Sequence, residues 1–125
     1  MYEKNLNVVS NKKNTTSYSL KTVRAFAQDD EQSLRLILQS FMSSSQENLQ
    51  RLKQYLKEGN NSELAELAHK MLAMFRQLEA HEIVQLLKQL EEKNTPLEQL
   101  QARAQQVIPL IEQLLQEIKT SYRLP

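Results

Sequence analysis

The sequence predicts an all-α protein: an antiparallel up-down-up-down four-helix bundle with a short additional N-terminal helix. The 125-residue chain has one glycine and no cysteine or tryptophan, and its commonest residues include Leu, Gln, Glu, Lys and Ala, which are good helix formers. Apolar residues recur every three or four positions in four long stretches, which is the spacing of one helix face. Four such helices joined by short loops bury their apolar faces most simply as an antiparallel bundle.

The composition also argues against several classes of function. One glycine does not suffice for the Gly-rich phosphate loops of nucleotide enzymes, and a chain without cysteine has no disulfides or thiolate zinc sites. Residues 1–24 hold five basic groups against one acidic group, and the remaining residues hold 11 against 14. A mildly acidic body is not typical of nucleic-acid binding. We see no apolar run long enough for a membrane span and no signal peptide, and we expect a cytoplasmic protein without direct membrane contact.

The N-terminal part of the chain is predicted to differ from the rest. Residues 1–18 are dominated by Asn, Lys, Ser and Thr without a sustained period, and we interpret them as a flexible leader or an interdomain linker. The predicted helical bundle covers residues 19–125. Ser19 is expected to cap a short first helix, and the step at Gln28–Asp30 to end it and cap the next. The apolar positions of this first helix are Leu20, Val23, Phe26 and Ala27.

The second and third helices have clear start and stop signals. The apolar period predicts a helix over about 30–57, and the only glycine, Gly59, is expected to end it. Asn60, Asn61 and Ser62 then offer caps for a third helix over about 62–79. Its apolar face is formed by Leu64, Leu67, Ala68, Met71, Phe75 and Leu78.

Two further helices complete the predicted bundle. The fourth is expected over about 82–93, with His81 in the turn before it. Thr95–Glu98 has the pattern of a capping box with Pro96 at the first helical position. The last helix starts there, and Pro109 is expected to bend it without ending it. Its seven-residue apolar repeat leaves a coiled-coil dimer open as a structural alternative.

His69 is the main candidate for chemistry because of the direction in which it points. A rotation of about 100° per residue places it ~160° from Met71, the centre of the apolar face, so we expect it to face solvent. Ala65 and Ala73 lie one turn before and after it, and Leu72 is expected at the border of the same surface. These residues would leave the imidazole clear in a weakly apolar patch on which another protein docks.

Charged neighbours of the histidine suggest further roles. Lys70 and Arg76 flank it and are expected to steady an anionic group or to take part in docking. Glu66 and His69 have the Glu-x-x-His spacing of di-iron bundles, but both are expected to point outward and the sequence has no second such pair. The acidic pair Glu91 and Glu92 is interpreted as a solvated helix end.

The segment from Leu67 to Ala80 resembles the phosphorylatable helix of histidine phosphotransfer (HPt) domains. In that pattern an Ala-His pair is followed by an apolar residue two positions on, a small residue four on, a Leu nine on and an Ala eleven on. The matching residues here are Ala68-His69, Met71, Ala73, Leu78 and Ala80. The resemblance extends over most of residues 19–120 and includes Phe41 and the pair Leu90-Glu91. This chain has Leu72, Ala73 and Glu79 where the family usually has Lys, Gly and Gly.

The resemblance implies a phosphorelay intermediate. A response-regulator receiver domain would dock on the bundle, and His69 would accept a phosphoryl group from its aspartate and pass it on or back. Such a domain is a phosphocarrier without catalytic turnover, needs no cofactor of its own and relies on Mg²⁺ in the receiver. The domain would be either a free-standing protein or the terminal domain of a hybrid sensor histidine kinase, and residues 1–18, interpreted as a linker, favour the second. The alternative is a helical interaction module without phosphotransfer, either a degenerate HPt domain or a dimerising bundle.

Overall fold

The computed structural model describes residues 17–92 and 94–125, and these contain helices and no strand. The all-α prediction is therefore confirmed for this part of the chain. The elements are α1 (Lys21–Phe26), α2 (Glu31–Glu58), α3 (Asn61–Gln77), α4 (His81–Leu90) and α5 (Leu97–Tyr122). Residues 1–16, which make up most of the predicted leader, lie outside the described residues.

Helices α2 to α5 form a closed four-helix bundle. Each of them packs against the next one in the chain, and α5 packs back against α2. The three connections have two, three and six residues, and connections this short make consecutive helices antiparallel. The apolar stripe of α5 is buried in this core, so the bundle itself uses the surface that a coiled-coil dimer would need. The stripe comprises Leu100, Ala104, Val107, Ile111, Leu114 and Ile118.

Helix α2 is longer than α3, and α1 packs against α2 at the end of the bundle where α3 is too short to cover it. Helix α2 has 28 residues and α3 has 17, which makes α2 longer by about 16 Å. The Ser19 amide donates to the Leu78 carbonyl at 2.7 Å, so the start of the described chain lies over the α3–α4 connection. Helix α1 packs against α2 and buries Leu20, Val23 and Ala27. The short helix therefore covers one end of the bundle, as the sequence predicts.

The N-terminal ends of α2 and α3 are capped by residues that the sequence predicts as caps. The Asp30 carboxylate accepts a hydrogen bond from the Ser33 amide at 2.8 Å, and the Asn60 side chain accepts one from the Glu63 amide at 3.2 Å. These bonds satisfy amides that have no partner within the helix. Gly59 ends α2 with φ of 68°, a left-handed conformation that glycine adopts without steric cost.

Four local predictions are wrong. Pro96 is the N-cap of α5 and not its first helical residue, so Thr95 lies outside the cap and its hydroxyl donates to Glu92. Helix α4 begins at His81, which the sequence predicts in a turn, and ends at Leu90 instead of near residue 93. Phe26 is 67% exposed, because it lies about 100° around the short helix from the buried Ala27. Ser19 does not cap α1, although its hydroxyl accepts from the Lys21 amide.

Hydrogen bonds tie α1 and α2 to the end of α5. The Arg24 guanidinium donates to the Glu31 carboxylate at 2.6 Å and to the Tyr122 hydroxyl at 3.2 Å. Arg35 donates to the carbonyls of Tyr122 and Arg123, which belong to the unpaired carbonyls that every helix has at its last turn. Helix α1, the first turns of α2 and the C-terminal end of α5 are thus held together at the same end of the bundle.

Candidate functional site

Helix α3 presents His69 to solvent because its two faces differ in character. One face is buried in the bundle and consists of Leu64, Ala65, Leu67, Ala68, Met71, Leu72 and Phe75. The other face carries the exposed residues His69, Lys70, Ala73 and Arg76. The His69 side chain is 74% exposed, which confirms the direction predicted from the helical period.

The imidazole of His69 is held by a carboxylate from the next helix. Its Nδ1 atom lies 2.5 Å from Glu91 Oε1, and the Glu91 side chain is 29% exposed. Glu91 is the C-cap residue of α4, and the antiparallel course of α3 and α4 brings it to the level of His69. Glu91, interpreted from the sequence as part of a solvated helix end, is therefore a member of the site.

This contact determines which nitrogen of a neutral imidazole is free. An ionised carboxylate only accepts hydrogen bonds, so it pairs with the tautomer that carries its proton on Nδ1. Nε2 then keeps its lone pair in the solvent-exposed ring. A nitrogen with a free lone pair at an exposed position is a nucleophile.

A shallow hollow lies beside the histidine. Its lining residues are Ala65, Glu66, His69, Lys70 and Glu91. The described residues contain no group of three or more His, Cys, Asp or Glu side chains that could hold a metal ion. The Glu66 and His69 pair is thus not part of a recognisable metal cluster in this part of the chain.

Two of the residues expected on the surface around His69 are buried. Ala65 is 3% exposed and Leu72 is 2% exposed. They lie about 40° and 60° around the helix from His69, both on the same side. That side faces α4, since Ala65 and Glu91 line the same hollow. The expectation that Ala65 and Leu72 are surface residues is therefore wrong, whereas Ala73 is exposed as predicted.

Lys70 and Arg76 are exposed and remain available to an anion. Neither residue has an ion pair or a side-chain hydrogen bond within residues 17–92 and 94–125. By contrast, Lys53 pairs with Glu112 at 3.1 Å, and Arg24 pairs with Glu31. The exposed face of α3 therefore carries two cations that the described part of the chain does not neutralise.

Exposed apolar surface is found away from the histidine. Phe26, Leu36 and Ile37 are exposed on α1 and the first turns of α2, and Ile37 lines a groove with Phe41 and Met74. In the described part of the chain, none of the helices has the length and apolar character needed to cross a membrane.

Comparisons with known proteins complete the description of the site. A family model described as the Hpt domain matches residues 36–121, which is more than half of the chain and includes α3, α4, His69 and Glu91. Neither a curated protein nor a solved structure gave a match.

Proposed function

The chain belongs to the Hpt domain family, the phosphocarrier domains of two-component phosphorelays, and from this premise we propose that His69 is the residue that carries the phosphoryl group. Hpt domains exchange phosphoryl groups with response-regulator receiver domains and are not catalysts with turnover of their own. The partner proposed here is such a receiver, and we place the exchange in the cytoplasm, where receiver domains act.

The observation that carries this proposal is the His69–Glu91 pair on an exposed helix face. The side chain is 74% exposed, and its Nδ1 atom is 2.5 Å from a carboxylate oxygen. A helix face that serves only to bind a partner gains nothing from an imidazole whose tautomer is fixed. A phosphoryl acceptor needs such a ring, because its attacking nitrogen must be unprotonated and its orientation held.

The transfer step uses the two nitrogens of His69 differently. The Nε2 lone pair attacks the phosphorus of the receiver's aspartyl phosphate, the Nε2–P bond forms, the P–O bond to the aspartate breaks and the carboxylate leaves. The imidazole becomes positively charged as this bond forms, while its Nδ1 proton stays in the hydrogen bond to Glu91. The Glu91 carboxylate stabilises that developing charge. The reverse sequence returns the group to an aspartate.

Other residues of the face have supporting roles in this proposal. Ala73 is exposed one turn after His69 and leaves room for the docking receiver. Lys70 and Arg76 provide positive charge near the transferred group, which is stabilising because phosphoryl transfer depends mainly on alignment and charge neutralisation. Mg²⁺ is expected in the receiver, and this chain is proposed to need no cofactor of its own.

The test is transfer from pre-phosphorylated receiver domains. We expect the wild-type chain to acquire phosphate that is acid-labile and base-stable, as phosphohistidine is. His69→Gln should acquire none, and His81→Gln, which removes the other histidine of the chain, should behave like the wild type. Labelling of His69→Gln, or no labelling of the wild type by any receiver of the same organism, would favour the interaction module without phosphotransfer.

A further inference from the structure

The hollow beside His69 is lined by two exposed charges of opposite sign that form no ion pair with each other. Glu66 and Lys70 are exposed, and both line this hollow together with His69 and Glu91. Glu91 accepts the hydrogen bond from His69. Within the described residues, Glu66 has no ion pair or hydrogen-bonded side-chain partner.

Helix geometry places Glu66 close to any group attached to His69. Residues three apart on a helix have Cβ atoms about 5–6 Å apart. Side chains on a helix also lean towards its N-terminus, so the imidazole lies over the turn that contains Ala65 and Glu66. Ala65 is buried and small, and it leaves the floor of the hollow open. A phosphoryl group on His69 would therefore lie close to both the Glu66 carboxylate and the Lys70 ammonium group.

We propose that Glu66 and Lys70 set the phosphoryl affinity of His69 with opposite signs, Glu66 by repelling the phosphoryl group and Lys70 by attracting it. The inference rests on the proposed function and adds a bias in the direction of transfer. A phosphoryl group carries a charge of about −1.5 to −2. Its repulsion by Glu66 raises the free energy of the phosphorylated state and favours onward transfer from His69 to an acceptor.

The magnitude follows from measured charge pairs on helices. Two like unit charges one turn apart destabilise a helix by a few tenths of a kcal/mol, and a phosphoryl group roughly doubles the effect. The transferred group is negatively charged in the transition state as well as in the product, so removal of the Glu66 charge should raise the rate of phosphoryl loading by about two- to fivefold, and removal of the Lys70 charge should lower it by a similar factor.

The experiment uses phosphoramidate, a small phosphoryl donor that needs no receiver and so separates the hollow from docking. In this reaction the Nε2–P bond forms as the P–N bond of the donor breaks and ammonia leaves. Loading is followed by ³¹P NMR and intact-protein mass for Glu66→Gln and Lys70→Gln. The matched controls are Glu63→Gln on the same helix and Lys57→Gln in the last turn of α2, which change the net charge equally outside the hollow. Circular dichroism checks that each variant is folded.

The expected order of loading rates is Glu66→Gln above the wild type and the wild type above Lys70→Gln, with both controls equal to the wild type. The differences should shrink towards none in 1 M KCl, because the Debye length falls to about 3 Å there. A purely structural effect would persist in salt. Equal rates for Glu66→Gln, the wild type and Glu63→Gln, or differences that salt does not change, would overturn this inference and leave the proposed function intact. A wild-type chain that phosphoramidate does not label at His69 would contradict both.

Discussion

Removal of the Glu91 charge should slow phosphoryl transfer to His69 without unfolding the protein. The carboxylate lies 2.5 Å from Nδ1, and it faces a ring that becomes positively charged as the Nε2–P bond forms. Two unit charges about 4 Å apart attract each other by about 1 kcal/mol in water and about 4 kcal/mol at an effective dielectric constant of 20. Because His69 is 74% exposed and Glu91 is 29% exposed, the lower part of this range applies, about 1–2 kcal/mol. This corresponds to a rate decrease of roughly 5- to 30-fold.

A graded series separates the charge of Glu91 from its hydrogen bond. In Glu91→Gln the amide oxygen can still accept the Nδ1 proton and the charge is lost, but the amide NH2 can also donate to Nδ1, so the variant isolates the charge only where the proton stays on Nδ1. Glu91→Ala loses both and should be the slowest variant. Glu92→Gln is the matched control, because Glu92 is adjacent in sequence and contacts Thr95 instead of His69. Loading is measured with a phosphorylated receiver, and ¹⁵N NMR of the imidazole reports which nitrogen carries the proton.

Two results would refute the proposed role of Glu91. The first is a Glu91→Ala variant that is loaded as fast as the wild type. The second is an imidazole that carries its proton on Nε2 in the wild type, since Glu91 would then not fix the attacking nitrogen. Equal slowing of Glu92→Gln would indicate that net charge on the docking face, and not the contact with His69, controls the rate.

Two further predictions concern the docking face and the end of the bundle. Ala73→Glu should reduce transfer from a receiver by at least tenfold at an unchanged melting temperature. Ala65→Arg should lower the melting temperature because it forces a charge into a site that is 3% exposed. Equal melting temperatures for the two variants, measured by circular dichroism, would contradict the assigned helix faces. Burial, followed by the nearby Glu117 and Tyr122, raises the pKa of Tyr18 above its ordinary value of 10.0. Its contribution to stability is therefore full below pH 10 and is lost as the pH rises through its folded pKa. The free energy of unfolding, measured by urea denaturation, should fall less for Tyr18→Phe than for the wild type between pH 8 and pH 11, and parallel losses would contradict the burial of this hydroxyl.

Much of the fold could be predicted because the residues that start and end a helix act on neighbours close to them in the sequence. Both ends of α2 and the start of α3 follow from three residues that act on their immediate neighbours. Asp30 and Asn60 accept hydrogen bonds from amides three residues on, and Gly59 adopts the left-handed conformation that ends α2. The capping box at Thr95 fails for an equally local reason. The Thr95 hydroxyl donates to Glu92, which precedes it by three residues, so it does not cap α5, and Pro96 becomes the N-cap without a side-chain hydrogen bond.

The sequence by itself determined the helical period, and the period determined that His69 points away from the apolar face of its own helix. Only the tertiary structure decided what surrounds the imidazole. Glu91 is 22 residues away in the chain, and the position of α4 both brings it to Nδ1 and buries Ala65 and Leu72. A helical period gives the angle of a residue about its own axis, but burial and contact depend on where the neighbouring axes lie, and that is fixed by the packing of all four helices together.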